Sequence, residues 1–409
     1  MVNILILISG HLCNAPRPQK EAETLANAGY NVTVRGFWFD PKLIERDRNI
    51  LINKSFHFSP IIDFQPTYRF TNLKTRIQSR FAKVTYRYLG IFSPNLLGYG
   101  VLAMLKVARQ AKADLTIVHS EAGLWIGSQL LDEGFLVGVD YEDWFSEDLL
   151  PEARINRPIA KLKELEKRLI QTCPYCLTTS YAMAEAMASA YQAPKPTAIY
   201  NSFPWAERNH LDRLIKDRKN LAIPSLHWFS QTIGPGRGLE ILFQALNFLD
   251  LPVEIHLRGN YSDSARKWLE ALIPKAWCDR IFIHATVPNA ELLSRIAEHD
   301  IGLALEIPFC LSRQFTITNK LFQYLQAGLA IVATDTDGQK EIMSQYPRIG
   351  YLISPIPEDL ANALNKLLSN PERLAVAKNA SLQAAKEKFS WEYQTQAILE
   401  RANLALNRG

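Results

Sequence analysis

The residues of most chemical interest lie in the run Ser230-Gln231-Thr232-Ile233-Gly234-Pro235-Gly236-Arg237-Gly238-Leu239-Glu240. It follows an apolar run that reads as a strand and opens an amphipathic run that reads as a helix. Glycines let a backbone approach a ligand closely, and amides left free at a helix start favour an anion. Arg237 adds a fixed charge whose donors match phosphate oxygens. The Lys-Ser/Thr pair of a Walker loop is missing, and such a turn taken alone is as often a plain tight turn. A second run, Asn319-Lys320-Leu321-Phe322-Gln323-Tyr324-Leu325-Gln326-Ala327-Gly328, starts a helix with Asn319 and Lys320 and closes it at Gly328. Asn319 read by itself is an N-cap. Two anion-favouring helix starts in one domain suit a diphosphate.

Three other features carry weaker chemistry. His119 ends an apolar run and reads, on its own, as a satisfied structural histidine. Asp140, Glu142, Asp143, Glu147 and Asp148 could gather around a cation, but without ligand geometry they read as a solvated loop or site edge. Cys173-Pro174-Tyr175-Cys176 spells a dithiol redox motif, yet it follows a helix and enters a strand. A reactive cysteine of that type needs a helix N-terminus instead.

These residues must be positioned by an α/β scaffold. The chain has 409 residues, 47% hydrophobic and 21% charged, with a net charge of +5. That length predicts two domains, and the mild positive charge suits an anionic ligand or surface. Five cysteines, an odd number without a regular framework, predict a reducing compartment, and no apolar stretch is long enough to span a bilayer. The expected location is the cytoplasm, with the inner face of the membrane as an option. Strands are predicted at 3–9, 31–38, 115–119, 135–141, 176–180 and 197–201, with helices at 18–28, 95–111, 121–133, 159–171 and 181–191. A polar stretch at 201–224 reads as a linker. The rhythm restarts with strands at 226–230, 253–257, 281–285, 300–305, 330–334 and 350–354, and a terminal helix at 390–406 is expected to return to the first domain.

Between Arg69 and Tyr88 the rhythm breaks. Arg69, Lys74, Arg76, Arg80, Lys83 and Arg87 accompany no acidic residue, while Phe70, Leu73, Ile77, Phe81, Val84 and Tyr88 recur at helical spacing. Two readings stand: a helix packed on the sheet by its apolar face with a solvated basic face, or a helix on an anionic membrane surface. No nucleic-acid partner is expected.

The chain as a whole resembles the retaining glycosyltransferases of the GT-B fold, close to the family-four group (glycosyl transferases group 1). The resemblance rests on Pro16 to Ala22 with Ala28-Gly29-Tyr30, on His119-Ser120-Glu121, Asp140 to Trp144, Tyr200 to Pro204, Gly236 to Glu240 and Asn319 to Gly328. It implies two Rossmann-like doubly wound domains facing a central cleft. Residues 1–200 would take the acceptor and 225–385 the nucleotide-sugar donor, with 386–409 crossing back. It implies transfer of a hexose from a nucleotide-diphosphate sugar to a glycan, lipid-linked or small-molecule acceptor, with retention, no metal and no further cofactor. His119, Arg237 and Lys320 would be catalytic. Ser230, Gln231, Gly234, Gly236, Arg237, Glu306, Asn319, Lys320 and Gln323 would hold the donor, and Gly10, Arg17 and Glu121 the acceptor side. The sequence departs from the family at three positions. Gln231 stands where the family carries an arginine, and Phe315 and Gln323 stand where it carries two glutamates, with Glu306 as a substitute carboxylate. The Phe315 and Gln323 departures keep open a GT-B nucleotide-binding scaffold without turnover, and the rival enzyme is a GT-B nucleotide-sugar epimerase, whose chemistry needs carboxylates around the sugar that the sequence does not place.

Overall fold

The computed structural model describes residues 1–65 and 69–407. The chain divides into two units, Met1–Ile199 with Gln394–Gly409, and Tyr200–Tyr393.

The first unit is built on seven strands: β1 (Asn3–Leu7), β2 (Asn31–Trp38), β3 (His57–Asp63), β4 (Leu115–Val118), β5 (Val137–Tyr141), β6 (Tyr175–Thr178) and β7 (Thr197–Ala198). All pair in parallel in the order β3-β2-β1-β4-β5-β6-β7. Central strands are buried on both faces, which is why they read as unbroken apolar runs rather than alternating ones. β3 and the helix Pro41–Ile50 before it are additional to the elements that the sequence predicts. Pro60 inside β3 argues against a strand, but β3 lies at the sheet edge, where a missing N–H is tolerated. The helix expected from residue 95 begins only at Val101, because Gly100 takes a left-handed conformation (φ 68°) as its N-cap.

The second unit carries β8 (Ser225–Thr232), β9 (Glu254–Asn260), β10 (Ile281–His284), β11 (Ile301–Ala304), β12 (Ala330–Thr334) and β13 (Gly350–Ile353), parallel throughout and ordered β10-β9-β8-β11-β12-β13. Residues 211–220 are bound to this sheet's rim. Arg218 pairs with Glu254 at 3.3 Å and Asp300 at 3.0 Å, and Lys216 with Glu291 at 2.9 Å. The last helix, Trp391–Leu406, supplies its residues from Gln394 onward to the first unit, where the Tyr30 hydroxyl donates to Asn403 Oδ1 at 2.5 Å.

In both units the strand order reverses direction between the first and fourth strands, β1 beside β4 and β8 beside β11. Side chains just past the carboxyl ends of these neighbouring strands line the place where open α/β sheets bind ligands.

Candidate functional site

In the second unit, the turn after β8 runs from Ile233 to Gly238 and leads into the helix Leu239–Ala245. Gly236 and Gly238 have φ of 72° and 81°. Gly238 is held by more than its dihedral: a Cβ there would lie 2.4 Å from Leu305 Cβ and 2.6 Å from the Leu305 carbonyl oxygen. The turn is therefore seated directly on the end of β11. Arg237 Nη1 donates to Ser230 Oγ at 2.8 Å. Gly234 and Gln231 are near it, Gln231 exposed and Gly234 buried. The Gly236 amide is not free. It donates to Glu240 Oε1 at 2.7 Å, so a carboxylate of the chain occupies part of the anion position, while Glu240 Oε2 is buried with no hydrogen-bond partner among the described residues.

One residue past Leu305, Glu306 is buried and accepts from Lys320 Nζ at 2.5 Å and from Arg313 Nη1 at 3.2 Å. Burial pushes its carboxyl up, but Lys320 and Arg313 outweigh this and hold it below the usual range. The Glu306 backbone is fixed by Thr334 at the end of β12, whose hydroxyl accepts from Glu306 N (2.8 Å) and donates to its carbonyl (2.7 Å). Lys320 Nζ also lies 5.8 Å from the centre of the Trp228 ring. The structure thus brings Ser230, Arg237, Glu306 and Lys320 to the ends of β8, β11 and β12. Arg313 and Thr334 belong to the same group and were missed in sequence. Arg313 sits in a five-residue helix, Leu311–Phe315, too short to show a period.

Thr318, not Asn319, is the N-cap of the helix Asn319–Ala327, and it makes no side-chain cap bond. Asn319 Oδ1 instead accepts from Asn201 Nδ2 at 2.9 Å. Gln323 Oε1 is buried with no hydrogen-bond partner among the described residues. An acceptor left unsatisfied in this position is what a ligand hydroxyl would complete. Phe315 ends the short helix, and its carbonyl together with that of Thr316 presses on Gly338.

The first unit gathers a different set. His119, just past β4, is 2% exposed, with Nε2 2.8 Å from Glu21 Oε2 and Nδ1 2.9 Å from Glu142 Oε1. Burial alone would push this imidazole down. The two carboxylates reverse that and lift it to about 10, so it is a fixed cation at neutral pH with both nitrogens engaged. Beside it, Arg17 forks onto Asp140 (2.6 and 3.0 Å) and donates to the carbonyls of Ile199 (2.6 Å) and Thr178 (3.3 Å). The Tyr175 hydroxyl donates to Glu21 Oε1 at 2.5 Å. Three cations, Arg17, Lys20 and His119, stand against three carboxylates, Glu21, Asp140 and Glu142. Farther along the acidic run, Glu147 pairs with Arg154 at 3.0 Å and Lys163 at 2.6 Å.

Next to this network the Ser9 and Ser120 hydroxyls are 2.5 Å apart, and Ser120 adopts φ 71°, a strained choice for a residue with a Cβ. Glu121 pairs with Arg157. Gly10 accepts from Phe37 N at 3.0 Å and faces Gly36 so closely that a Cβ on the latter would sit 2.5 Å from its oxygen. Cys173 and Cys176 are buried and unbonded, and burial pushes the Cys173 thiol up to about 12, far from a reactive thiolate.

Residues 237–400 match the family model described as "Glycosyl transferase-like". No curated protein sequence matches the chain. Among solved structures, the sucrose-phosphate synthase of Thermosynechococcus elongatus aligns over all of both chains at 14% identity with a TM-score of 0.71. HepE of Anabaena, solved in complex with UDP and glucose, aligns over 98% of this chain and 100% of its own at 17% identity and a TM-score of 0.69. The UDP-GlcNAc 2-epimerase of Neisseria meningitidis aligns over 98% and 100% at 11% identity with a lower TM-score, 0.57. The chain has the GT-B fold, and its residues 237–400 are similar to the glycosyl transferase-like family.

Proposed function

We propose that this chain transfers a hexose from a nucleotide-diphosphate sugar, with the donor diphosphate taken at the ends of β8 and β11 in the second unit. The observation that carries the reading is the seating of the Arg237 turn on Leu305, with the buried Glu306–Lys320 pair one residue further on. Cleaving the bond between sugar and diphosphate builds negative charge on the leaving oxygen and positive charge on the sugar carbon. A preorganised donor at that oxygen contributes about 3–4 kcal/mol to the transition state. Arg237, tethered among the described residues by one hydrogen bond to Ser230, is the cation with donors left for phosphate oxygens. Lys320, matched by Glu306, is a fixed charge rather than a mobile one. Gln323, with its unsatisfied oxygen, is the residue proposed to accept from a ribose hydroxyl. Attack from the face the leaving group vacates would retain the anomeric configuration, with the departing phosphate accepting the acceptor's proton. Protein cations carry the charge in this scheme, so no metal is required. UDP is the first nucleotide to test, since HepE was solved with it.

A second reading, nucleotide-sugar epimerisation, draws on the three carboxylates around His119 and on the epimerase neighbours. It is the weaker of the two, because these groups are already engaged within the unit: Asp140 by Arg17, Glu21 by His119 and Tyr175, and His119 by Glu21 and Glu142. The experiment is thermal unfolding with a chelator present, against UDP, GDP, ADP and their sugars, for the wild type and Arg237→Ala. A nucleotide at a hundred times its Kd should stabilise the wild type by about 2.7 kcal/mol. Stabilisation lost in the variant supports the donor site, and no stabilisation by any nucleotide refutes it. Release of nucleotide then separates a transferase from a silent scaffold, and the recovered monosaccharide separates it from an epimerase.

A further inference from the structure

The helix Arg69–Leu89 is packed the opposite way from an ordinary surface helix. Leu73, Ile77, Phe81, Val84 and Tyr88 are each 54–74% exposed, while Thr75, Ser79 and Ala82 are 2–6% exposed. At 3.6 residues per turn, the five apolar residues fall within an arc of about 80°, and the three small ones lie on the other side. Tyr86, toward the inner side, anchors the helix to its unit by donating to the Arg157 carbonyl at 3.1 Å. Burying threonine, serine and alanine while leaving two aromatic and three aliphatic side chains in water wastes the stronger driving force. The outward face is therefore built for something else.

Charge says what. Lys74 borders one edge of the apolar arc, and Arg76, Arg80, Lys83 and Arg87 border the other, all exposed. No aspartate or glutamate occurs from Phe64 to Ala113, a stretch carrying nine lysines and arginines. A second copy of this face would bring cations against cations, and an ordinary water-facing helix would not expose Phe81 and Tyr88. We propose that this helix docks the first unit on an anionic lipid surface, its apolar arc at the level of the acyl chains and its lysines and arginines against lipid phosphates. Among the described residues no helix is long and apolar enough to cross a membrane, so the attachment is peripheral. It stands on this helix alone and is independent of the transfer chemistry.

The test is co-sedimentation of the full chain with phosphatidylcholine vesicles, with and without phosphatidylglycerol. Binding is expected to the mixed vesicles only, and to weaken as salt is raised. At about fivefold per cation, the triple variant Arg76→Ala, Arg80→Ala, Lys83→Ala should bind roughly a hundredfold more weakly. The exposed-face variant Phe81→Ser, Val84→Ser should lose binding even at low salt. Both variants change exposed side chains, so their thermal unfolding midpoints should match the wild type. Equal binding to both kinds of vesicle overturns the proposal, as does binding unchanged in either variant. Self-association of the wild type that Phe81→Ser abolishes would also overturn it, assigning the face to a second copy.

Discussion

Deprotonating His119 should weaken the first unit by a predictable amount. The imidazole titrates at 6.5 when unperturbed and at about 10 between Glu21 and Glu142. The folded state therefore binds one more proton than the unfolded state between those two values. Its contribution is fully present below pH 6.5 and is lost as pH rises through about 10. At about 1.4 kcal/mol per pH unit, the span sets an upper figure near 5 kcal/mol. Rearrangement of the Arg17–Asp140 and Tyr175–Glu21 partners on deprotonation reduces it, to an expected 2–5 kcal/mol. Buried thiols at Cys13 and Cys173, both lifted to about 12, add their own alkaline loss. The assay must therefore subtract them. Urea unfolding of the wild type and of His119→Gln, which cannot titrate, should be followed from about pH 6.5 to 10. The difference in stability between the two proteins should shrink steadily with rising pH, and the ring carbon resonance of His119 should stay in its protonated position up to about pH 9. A constant difference, or a titration of His119 near 6.5, would refute the argument that two carboxylates outweigh full burial.

The second unit should fail at the other end of the pH scale. His227, His256, His284 and His299 form a stacked group, with ring centres 4.6 Å apart for His227–His299 and His256–His299. Burial pushes all four down, His256 to about 2. The unfolded chain takes up protons below 6.5 that the folded unit refuses, so stability falls as pH drops through that value, visible as a declining urea midpoint. Neither ring nitrogen of His227 has a hydrogen-bond partner among the described residues, and His227→Phe, which keeps the stack, should raise stability by about 1–3 kcal/mol and soften the acid loss. Gly238→Ala should cost more than about 2 kcal/mol, since its Cβ would meet Leu305 backbone at a positive φ; retention of wild-type stability and nucleotide response would show that the turn moves freely. Glu306→Gln should destabilise by about 3 kcal/mol by leaving Lys320 buried without a full countercharge, whereas a smaller loss on the paired Glu306→Gln, Lys320→Met change would identify the pair as the cause.

Periodicity and turn residues carried much of the architecture. Parallel strands buried on both faces leave apolar runs such as Ile4–Ile8 and Ala330–Thr334, and Pro16, Gly29 and Gly328 punctuate the helices around them. The edges were harder, because a proline inside β3 and a left-handed Gly100 break local rules that tertiary position relaxes. At the candidate donor site, Arg237 and Lys320 stand out in sequence because a cation beside glycines or at a helix start is locally odd. Their partners do not. Glu306 is fourteen residues from Lys320, and Arg313 and Thr334 reach it from separate elements, so nothing local marks them. His119 shows the same limit from the other side: its character comes from Glu21, 98 residues away, and Glu142, 23 residues away.

The helix Arg69–Leu89 shows what sequence periodicity does not contain. Its pattern fixes which residues share a face, and both readings of that pattern placed the apolar stripe against something. Only the fold decides which face turns inward, and here it is the face of small side chains. Thr75, Ser79 and Ala82 permit close approach, and Tyr86 finds a backbone carbonyl at Arg157. A bulky stripe of Leu73, Ile77, Phe81, Val84 and Tyr88 would hold the helix several ångströms farther out and leave Tyr86 without its acceptor. The small stripe therefore wins the inner position. The apolar stripe is then left to a partner outside the chain, and the cations along its borders select an anionic one.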